Sequence, residues 1–415
     1  MAAKTYLRAI VIFFSVYVVY WIGFEAGRYA KEEHLNERRL IGNEHGPGKL
    51  EIFTKNIRED TVEGSSRGGG KMASTEVETC EPVKKIVFIK THKTASTTLA
   101  SIIERFGYTR NLSFVVPPDR KYGPHILSSS SRFTRAMLKN SPLPLNGGKY
   151  YDMLTNHVRY NRPEMDDVIP NATYVTIIRH PVKHFESAFS YFQWGRLIKD
   201  SNDKIAKFME NPQTYLDKKV YFWYQSHNGQ LFDLGMDTAD TNDDKKVDAY
   251  IQKLNSEMDL VLVADYFDQS LLVLKKQLCW TMDDILYIPN GVRSETQRRH
   301  ITDNTRQKIV AWNKSDFKLY QHFNRTLWQK IDQYGTTFEQ DLQEFRQRRQ
   351  KAMNECTDNM SVLQNDPRET RYKLKANASD LCQNLWRGDV TFTALLRNRQ
   401  LEGRVLEPPH NQQNN

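Results

Sequence analysis

Between Lys90 and Thr98 the chain reads KTHKTASTT: two lysines, a histidine and five hydroxyl side chains within nine residues. The apolar run Ile86–Ile89 precedes this stretch, and Leu99, Ile102, Ile103 and Phe106 follow it at helical spacing. A loop joining a strand's end to a helix's start presents unpaired backbone N–H groups and the positive end of the helix dipole. The ammonium groups of Lys90 and Lys93, with the hydroxyls of Thr91, Thr94, Ser96, Thr97 and Thr98 arrayed around Ala95, would complete a cradle for a phosphate-type anion. The nucleotide-triphosphatase loop G-x-x-x-x-G-K-[ST] depends on glycines, and this segment has none. That disfavours the triphosphatase class and makes magnesium less expected. A helix capped by Thr94 or Ser96, with two surface lysines, would account for the hydroxyls alone.

It would not account for a second cluster. Arg179 closes the β-branched run Thr173–Ile178, and Ser187 lies eight residues on, in a helix that Pro181 begins. A guanidinium fork matches a phosphate, and a serine hydroxyl can add a donor beside it. Two such clusters at neighbouring strand ends describe two anionic subsites on one nucleotide. Proton transfer has its own candidates in His92, His125, His157, His180, His184 and His227, because histidine titrates near neutral pH. No Cys/His cluster has zinc spacing, so no metal is expected.

Positioning these groups requires strands that alternate with helices. Ile86–Ile89 reads as a strand buried on both faces, followed by a helix that ends at Gly107. Tyr150–His157 and Thr173–Ile178 read as further strands. Phe185, Ala188, Phe189 and Phe192 mark one helical face after the latter, and Asp259–Trp280 repeats the strand–turn–helix grammar. This predicts an α/β fold with a mainly parallel central sheet flanked by helices. Ligands of such sheets collect at the carboxyl ends of the strands, where KTHKTASTT, NHVRYN (Asn156–Asn161) and RHPVKHFES (Arg179–Ser187) would converge. The stripe Trp312, Leu319, Tyr320, Phe323, Leu327, Trp328 and Ile331 reads as core.

The rest of the chain sets the context. Its 415 residues carry 59 basic and 50 acidic side chains, a net +9 that weakly favours an anionic partner. Ala9–Phe24 is uncharged and just long enough for a thin secretory membrane, with Lys4 and Arg8 before it, so it reads as a type II signal anchor. Bulky Tyr20, Trp21 and Phe24 argue against a cleaved signal peptide. The expected layout is a cytoplasmic tail over 1–8, the anchor over 9–24 and a flexible lumenal stem over 25–79. A domain over 80–350 and a polar C-terminal extension over 351–415 complete it. Glycosylation sequons at Asn111, Asn171, Asn313, Asn324, Asn359 and Asn377 fit a lumenal location. The four cysteines allow three pairings, of which the spacing suggests Cys80–Cys279 with Cys356–Cys382.

FIKTHKTASTT resembles the 5'-phosphosulfate loop, and IIRHPVKHFESAF the 3'-phosphate segment, of sulfotransferases using 3'-phosphoadenosine-5'-phosphosulfate (PAPS). NHVRYN, FDLG, DYFDQSLLVLKKQLCW, LYIPN and WNKSDFKLYQHFNRTLW are similar to segments of the galactose-3-O-sulfotransferase family, the group containing galactosylceramide sulfotransferase. The resemblance runs from Cys80 to Tyr334. It implies a P-loop-like sulfotransferase fold preceded by one transmembrane helix, with PAPS as sulfonate donor and neither metal nor nucleic acid as partner. It further implies a Golgi membrane enzyme with a lumenal catalytic domain, acting on a galactose-terminated glycolipid or glycan.

By the same resemblance Lys93 binds at the bridging oxygen of the phosphosulfate and stabilises the departing phosphate. Thr94, Ala95, Ser96, Thr97 and Thr98 supply hydroxyls and N–H groups, with Lys90, Thr91 and His92 beside them, while Arg179 and Ser187 hold the 3'-phosphate. NHVRYN also resembles a segment of the uronyl 2-O-sulfotransferases whose histidine is the base. That singles out His157, with His92 as its rival and the residue that orients the sulfonate. Arg159 is expected to meet the acceptor or an acidic neighbour. The aromatic segments Tyr191–Gly195 and Tyr221–Gln230 would face the sugar or fill the core. Two rival functions fit less of the chain. One is a uronyl 2-O-sulfotransferase acting on glycosaminoglycan, which the positive charge suits; the other is a non-catalytic membrane-anchored glycan-binding protein, which has no need of a donor site.

Overall fold

The computed structural model describes residues 80–118, 125–199, 201–217, 222–293, 301–362 and 369–405. The tail, anchor and stem expected over 1–79 lie outside the described residues. Among the described residues no helix is long and apolar enough to cross a membrane.

Five strands form the central sheet: β1 (Ile86–Ile89), β2 (Phe114–Val115), β3 (Met153–Leu154), β4 (Thr173–Ile178) and β5 (Leu260–Val263). Their order is β2-β3-β1-β4-β5 and every pairing is parallel. The α/β class and the parallel sheet expected from periodicity are therefore present. β1 is apolar at every position because both its faces are covered, and all four residues are buried. Ile89 pairs with Thr176, so the chains leaving β1 and β4 emerge side by side.

Helix α1 (Ser96–Thr109) follows β1 and buries Leu99, Ile102, Ile103 and Phe106 against the sheet. Each such burial stabilises by about 1.5–3 kcal/mol. The helix continues two residues past Gly107, its expected end. That glycine serves packing: a Cβ there would lie 2.5 Å from the Phe114 ring and 2.9 Å from the Met153 sulfur. The strand expected over Tyr150–His157 also shrinks to Met153–Leu154. Beyond it the chain makes only isolated parallel bridges at His157 and Arg159, to Ile126 and Arg132, while Asn156 donates its amide to Val115 O.

α2 (Pro181–Tyr191) follows β4, and the five-residue α3 (Gly229–Asp233) and α4 (Asp244–Glu257) lead to β5. α5 (Phe267–Leu278), α6 (Asp303–Trp312), α7 (Lys314–Tyr334) and α8 (Phe338–Cys356) follow. The expected stripe on α7 is core, with Leu319, Tyr320, Phe323, Leu327 and Ile331 buried. Cys80 pairs with Cys279 and Cys356 with Cys382, as the spacing suggested.

The domain end drawn at 350 falls inside α8, and the polar segment beyond returns to the body. β6 (Asn290–Arg293), β7 (Thr357–Val362) and β8 (Glu369–Leu374) form an antiparallel sheet ordered β6-β8-β7. α9 (Asp380–Trp386) and α10 (Asp389–Val405) follow, and α10 packs on α1. Phe392 and Leu396 enter the core, while the Gln400 side chain accepts from Phe114 N–H at 2.8 Å, satisfying the edge strand β2.

Candidate active site

The β1–α1 loop has left-handed backbone at Lys93 (φ 57°) and Ala95 (φ 62°), and no side chain caps α1. Positive φ at alternate residues curls the backbone so that successive N–H groups face one concavity, the arrangement that binds anions. Glycine is the usual residue there; this loop instead holds two L-residues in a conformation costing roughly 1–2 kcal/mol each.

Three of the five hydroxyls maintain that shape. Thr91 donates to Ile177 O at 2.5 Å and lies 2.7 Å from the Thr94 hydroxyl, and Ser96 donates to Thr91 O at 2.5 Å. Thr97 is exposed and Thr98 half-buried. Lys90 departs most from its expected place beside the ligand. It is buried and ion-paired with Asp389, the first residue of α10, beside Glu104. Burial would raise the Asp389 pKa, but Lys90 and then His125 outweigh it and hold the carboxylate below its usual range. Burial first, and then the Asp389 charge, push Glu104 well above its range, which favours its neutral carboxyl. A neutral Glu104 beside the Lys90–Asp389 pair leaves no uncompensated charge in the cluster.

Lys93 points the other way, with Nζ 3.6 Å from the centroid of the Tyr191 ring. Its backbone carbonyl accepts from Arg179 Nη1 at 3.2 Å, which joins the two anion clusters foreseen at neighbouring strand ends. Ser187 lies buried on α2.

His92 and His157 stack, with ring centroids 4.2 Å apart and planes 15° from parallel. His157 Nδ1 lies 3.1 Å from Lys90 O. A carbonyl only accepts, so Nδ1 carries the proton and Nε2 keeps its lone pair. Burial, then the Lys90, His92 and His125 charges, depress the His157 pKa well below the histidine range. His92 is held by Asp233, which accepts from its backbone N–H at 2.7 Å and from Nδ1 at 2.9 Å, while Gln225 donates to the same carboxylate at 2.8 Å.

The other histidines support this frame. His184 donates to His92 O at 3.1 Å, His180 caps α2, and His227 packs on Trp312 with centroids 4.3 Å apart. His125 lies 5.8 Å from the His157 ring. Burial lowers all four to about 4. Arg159 meets an acidic neighbour, Asp237, and also donates to Phe232 O and Met236 O at 2.8 Å each, bracing the turn after α3.

Of the aromatic segments, Trp194 and Phe192 are core. Phe222 stacks on Phe192 at 4.5 Å and meets the His92 ring at 63° with centroids 5.5 Å apart, while Tyr221 lies outside the described residues. Among the sequons, Asn111, Asn171 and Asn377 are exposed and Asn324 is half-buried. Asn313 is buried with its amide bonded to Asn228 N–H and Ile309 O, so a glycan there would require that packing to open. The Asn359 side chain lies outside the described residues.

The galactose-3-O-sulfotransferase family model matches residues 57–381. The chain belongs to the galactose-3-O-sulfotransferase family. Mouse (Mus musculus) galactosylceramide sulfotransferase is 33% identical over 286 residues, 67% of this chain and 65% of that protein. Human (Homo sapiens) galactosylceramide sulfotransferase is 32% identical over 262 residues, 62% of this chain and 60% of that protein. Mouse galactose-3-O-sulfotransferase 2 is 31% identical over 284 residues, covering 66% of this chain and 70% of that relative. The matched region thus spans a little under two thirds of the galactosylceramide sulfotransferases. The family match takes in the loop, Arg179, both stacked histidines and Asp233, and ends before Asp389. Asp233 sits in FDLG, a word already family-like in the sequence; Asp389, Glu104 and Gln225 have no local signature. Among the described residues no cluster of His, Cys, Asp or Glu could hold a metal ion.

Proposed function

We propose that this chain transfers the sulfonate of PAPS to a galactose hydroxyl, the 3-position, of a glycolipid or glycoprotein glycan, as in the conversion of galactosylceramide to sulfatide. One observation carries the proposal: Lys93 and Arg179, joined by a 3.2 Å bond, present two cations at adjacent strand ends beside the stacked pair His92–His157. A donor with a 5'-phosphosulfate and a 3'-phosphate has two anionic groups to occupy them, and the N–H concavity before α1 suits the former.

In the step proposed, the sugar oxygen attacks sulfur in line while the bond from sulfur to the bridging phosphate oxygen breaks. The hydroxyl proton passes to His157 Nε2, and adenosine 3',5'-bisphosphate leaves with the electron pair of the broken bond. Lys93 stabilises the charge that grows on the leaving oxygen. Arg179 and Ser187 hold the 3'-phosphate, and Thr97 and Thr98 complete the cradle. The enzyme would be a single-pass type II protein of the Golgi membrane, anchored by residues 9–24 with its catalytic domain in the lumen.

His157→Ala is expected to lower kcat by ~10²–10⁴ while leaving PAPS binding intact. With its pKa depressed, His157 remains a neutral base as pH falls through the ordinary histidine value near 6.5. The acid limb of kcat is accordingly expected below that value. Loss of donor affinity at an unchanged maximal rate would show that His157 is not the base. The function itself is tested with radiolabelled PAPS and a panel of galactosylceramide, lactosylceramide, N-acetyllactosamine and heparan. Label on a galactose-terminated acceptor is expected; transfer to heparan alone would support the uronyl reading, and no transfer at all the glycan-binding one.

A further inference from the structure

Helix α3, only five residues long, carries none of the donor-binding or proton-transfer candidates named from the sequence, yet it holds both halves of the site. Asp233 at its end fixes His92. Near its start Gln230 is fully buried and turned toward Arg179. Arg179 N–H donates to Gln230 Oε1 at 2.7 Å, and Gln230 Nε2 donates to Arg179 O at 2.9 Å. The ladder between β4 and β5 ends at Ile178, so Arg179 is the first residue beyond its support. A carboxamide offers the same donor and acceptor as a peptide, which lets Gln230 take the place of the absent strand partner. Gln230 is held in turn, for its own N–H and that of Leu231 donate to the two oxygens of the buried Asp316 carboxylate at 3.0 and 2.9 Å.

The origin of the Arg179 side chain is thereby clamped, and its tip reaches Lys93 O. A guanidinium recognises a phosphate through direction as well as charge, so a small rotation of its backbone moves every donor of the fork.

Resting on the donor assignment above, we propose that Gln230 is a positioning residue for recognition of the donor's 3'-phosphate. It touches no ligand; by clamping the Arg179 peptide it aims the guanidinium at the group that separates this donor from ordinary adenine nucleotides. Its loss should therefore remove discrimination, since a nucleotide without a 3'-phosphate makes no use of Arg179.

The test is calorimetric titration of the full chain with adenosine 3',5'-bisphosphate and with adenosine 5'-monophosphate, for wild type and Gln230→Met. Methionine fills a similar volume and makes neither hydrogen bond. Wild type is expected to prefer the bisphosphate. Gln230→Met is expected to weaken bisphosphate binding by about tenfold or more, the scale of a misplaced charge-assisted contact, with monophosphate affinity unchanged. Gln230→Glu keeps the acceptor for Arg179 N–H but sets a charge against its carbonyl, and is expected to show a smaller loss of the same kind. It reads the proposal should the methionine variant not fold. Equal weakening of both nucleotides, or a preference like that of wild type, would reduce Gln230 to packing. A wild-type protein that does not favour the bisphosphate would overturn the donor assignment and this proposal with it.

Discussion

Replacing Lys93 with alanine is expected to lower kcat by at least ~10²–10³, the cost of removing one preorganised group that stabilises developing charge. Lys93 and Lys90 stand three residues apart and have different surroundings. Lys90 is buried and neutralised by Asp389. Lys93 is half-buried and rests over the Tyr191 ring, whose quadrupole steadies an ammonium. Alanine is as compatible as lysine with the left-handed backbone at this position, so the loop's shape should survive. Single-turnover rates with PAPS separate the chemical step from binding. A reduction of kcat below about tenfold, with only KM raised, would mean that Lys93 binds the donor equally before and during transfer.

Asp389→Asn is expected to cost about 3–5 kcal/mol of folding stability, the range for stranding one member of a buried ion pair. The lower end is favoured by the neighbouring carboxyl. Burial and then the Asp389 charge raise the Glu104 pKa, so removing that charge makes its ionisation easier and supplies Lys90 with a partial substitute partner. Replacing both partners with apolar residues, Lys90→Met with Asp389→Leu, is expected to recover most of the loss, because no uncompensated charge remains. Denaturant midpoints of the two variants and the wild type decide this. A single variant within about 1 kcal/mol of wild type would contradict the buried pair. The cost would extend to the site, for the carbonyl of Lys90 orients His157.

Local pattern made much of this architecture legible. β1, the buried face of α1 and the α7 stripe follow from spacing within a dozen residues or so, and the loop's chemistry is concentrated in nine consecutive positions. The directions of its side chains were not legible. Thr91, Thr94 and Ser96 could face a ligand or their own backbone, and only the closed loop shows them turned inward. Gly107 looked like a helix end because its real constraint, Phe114 and Met153 across the sheet, is not adjacent in sequence. The supporting groups are more remote still: Gln230 lies 51 residues from Arg179, Asp233 141 from His92, and Asp389 299 from Lys90. FDLG marks Asp233 as family-like, but the supporting role of each of the three appears only when the fold delivers it. The last of them comes from a segment whose polar composition resembles a tail.

The position of the transferred sulfonate gives the most direct test. Full-length protein is incubated with PAPS and an acceptor ending in β-galactose, and the sulfated product is treated with periodate. A terminal galactose has vicinal diols at carbons 2,3 and 3,4, and a single substituent blocks both only at oxygen 3. The expected product carries one sulfonate on galactose and resists cleavage. A sulfated galactose that periodate still cleaves, or sulfonate found on heparan and absent from galactose, would contradict 3-O-sulfation of galactose as the function of this site.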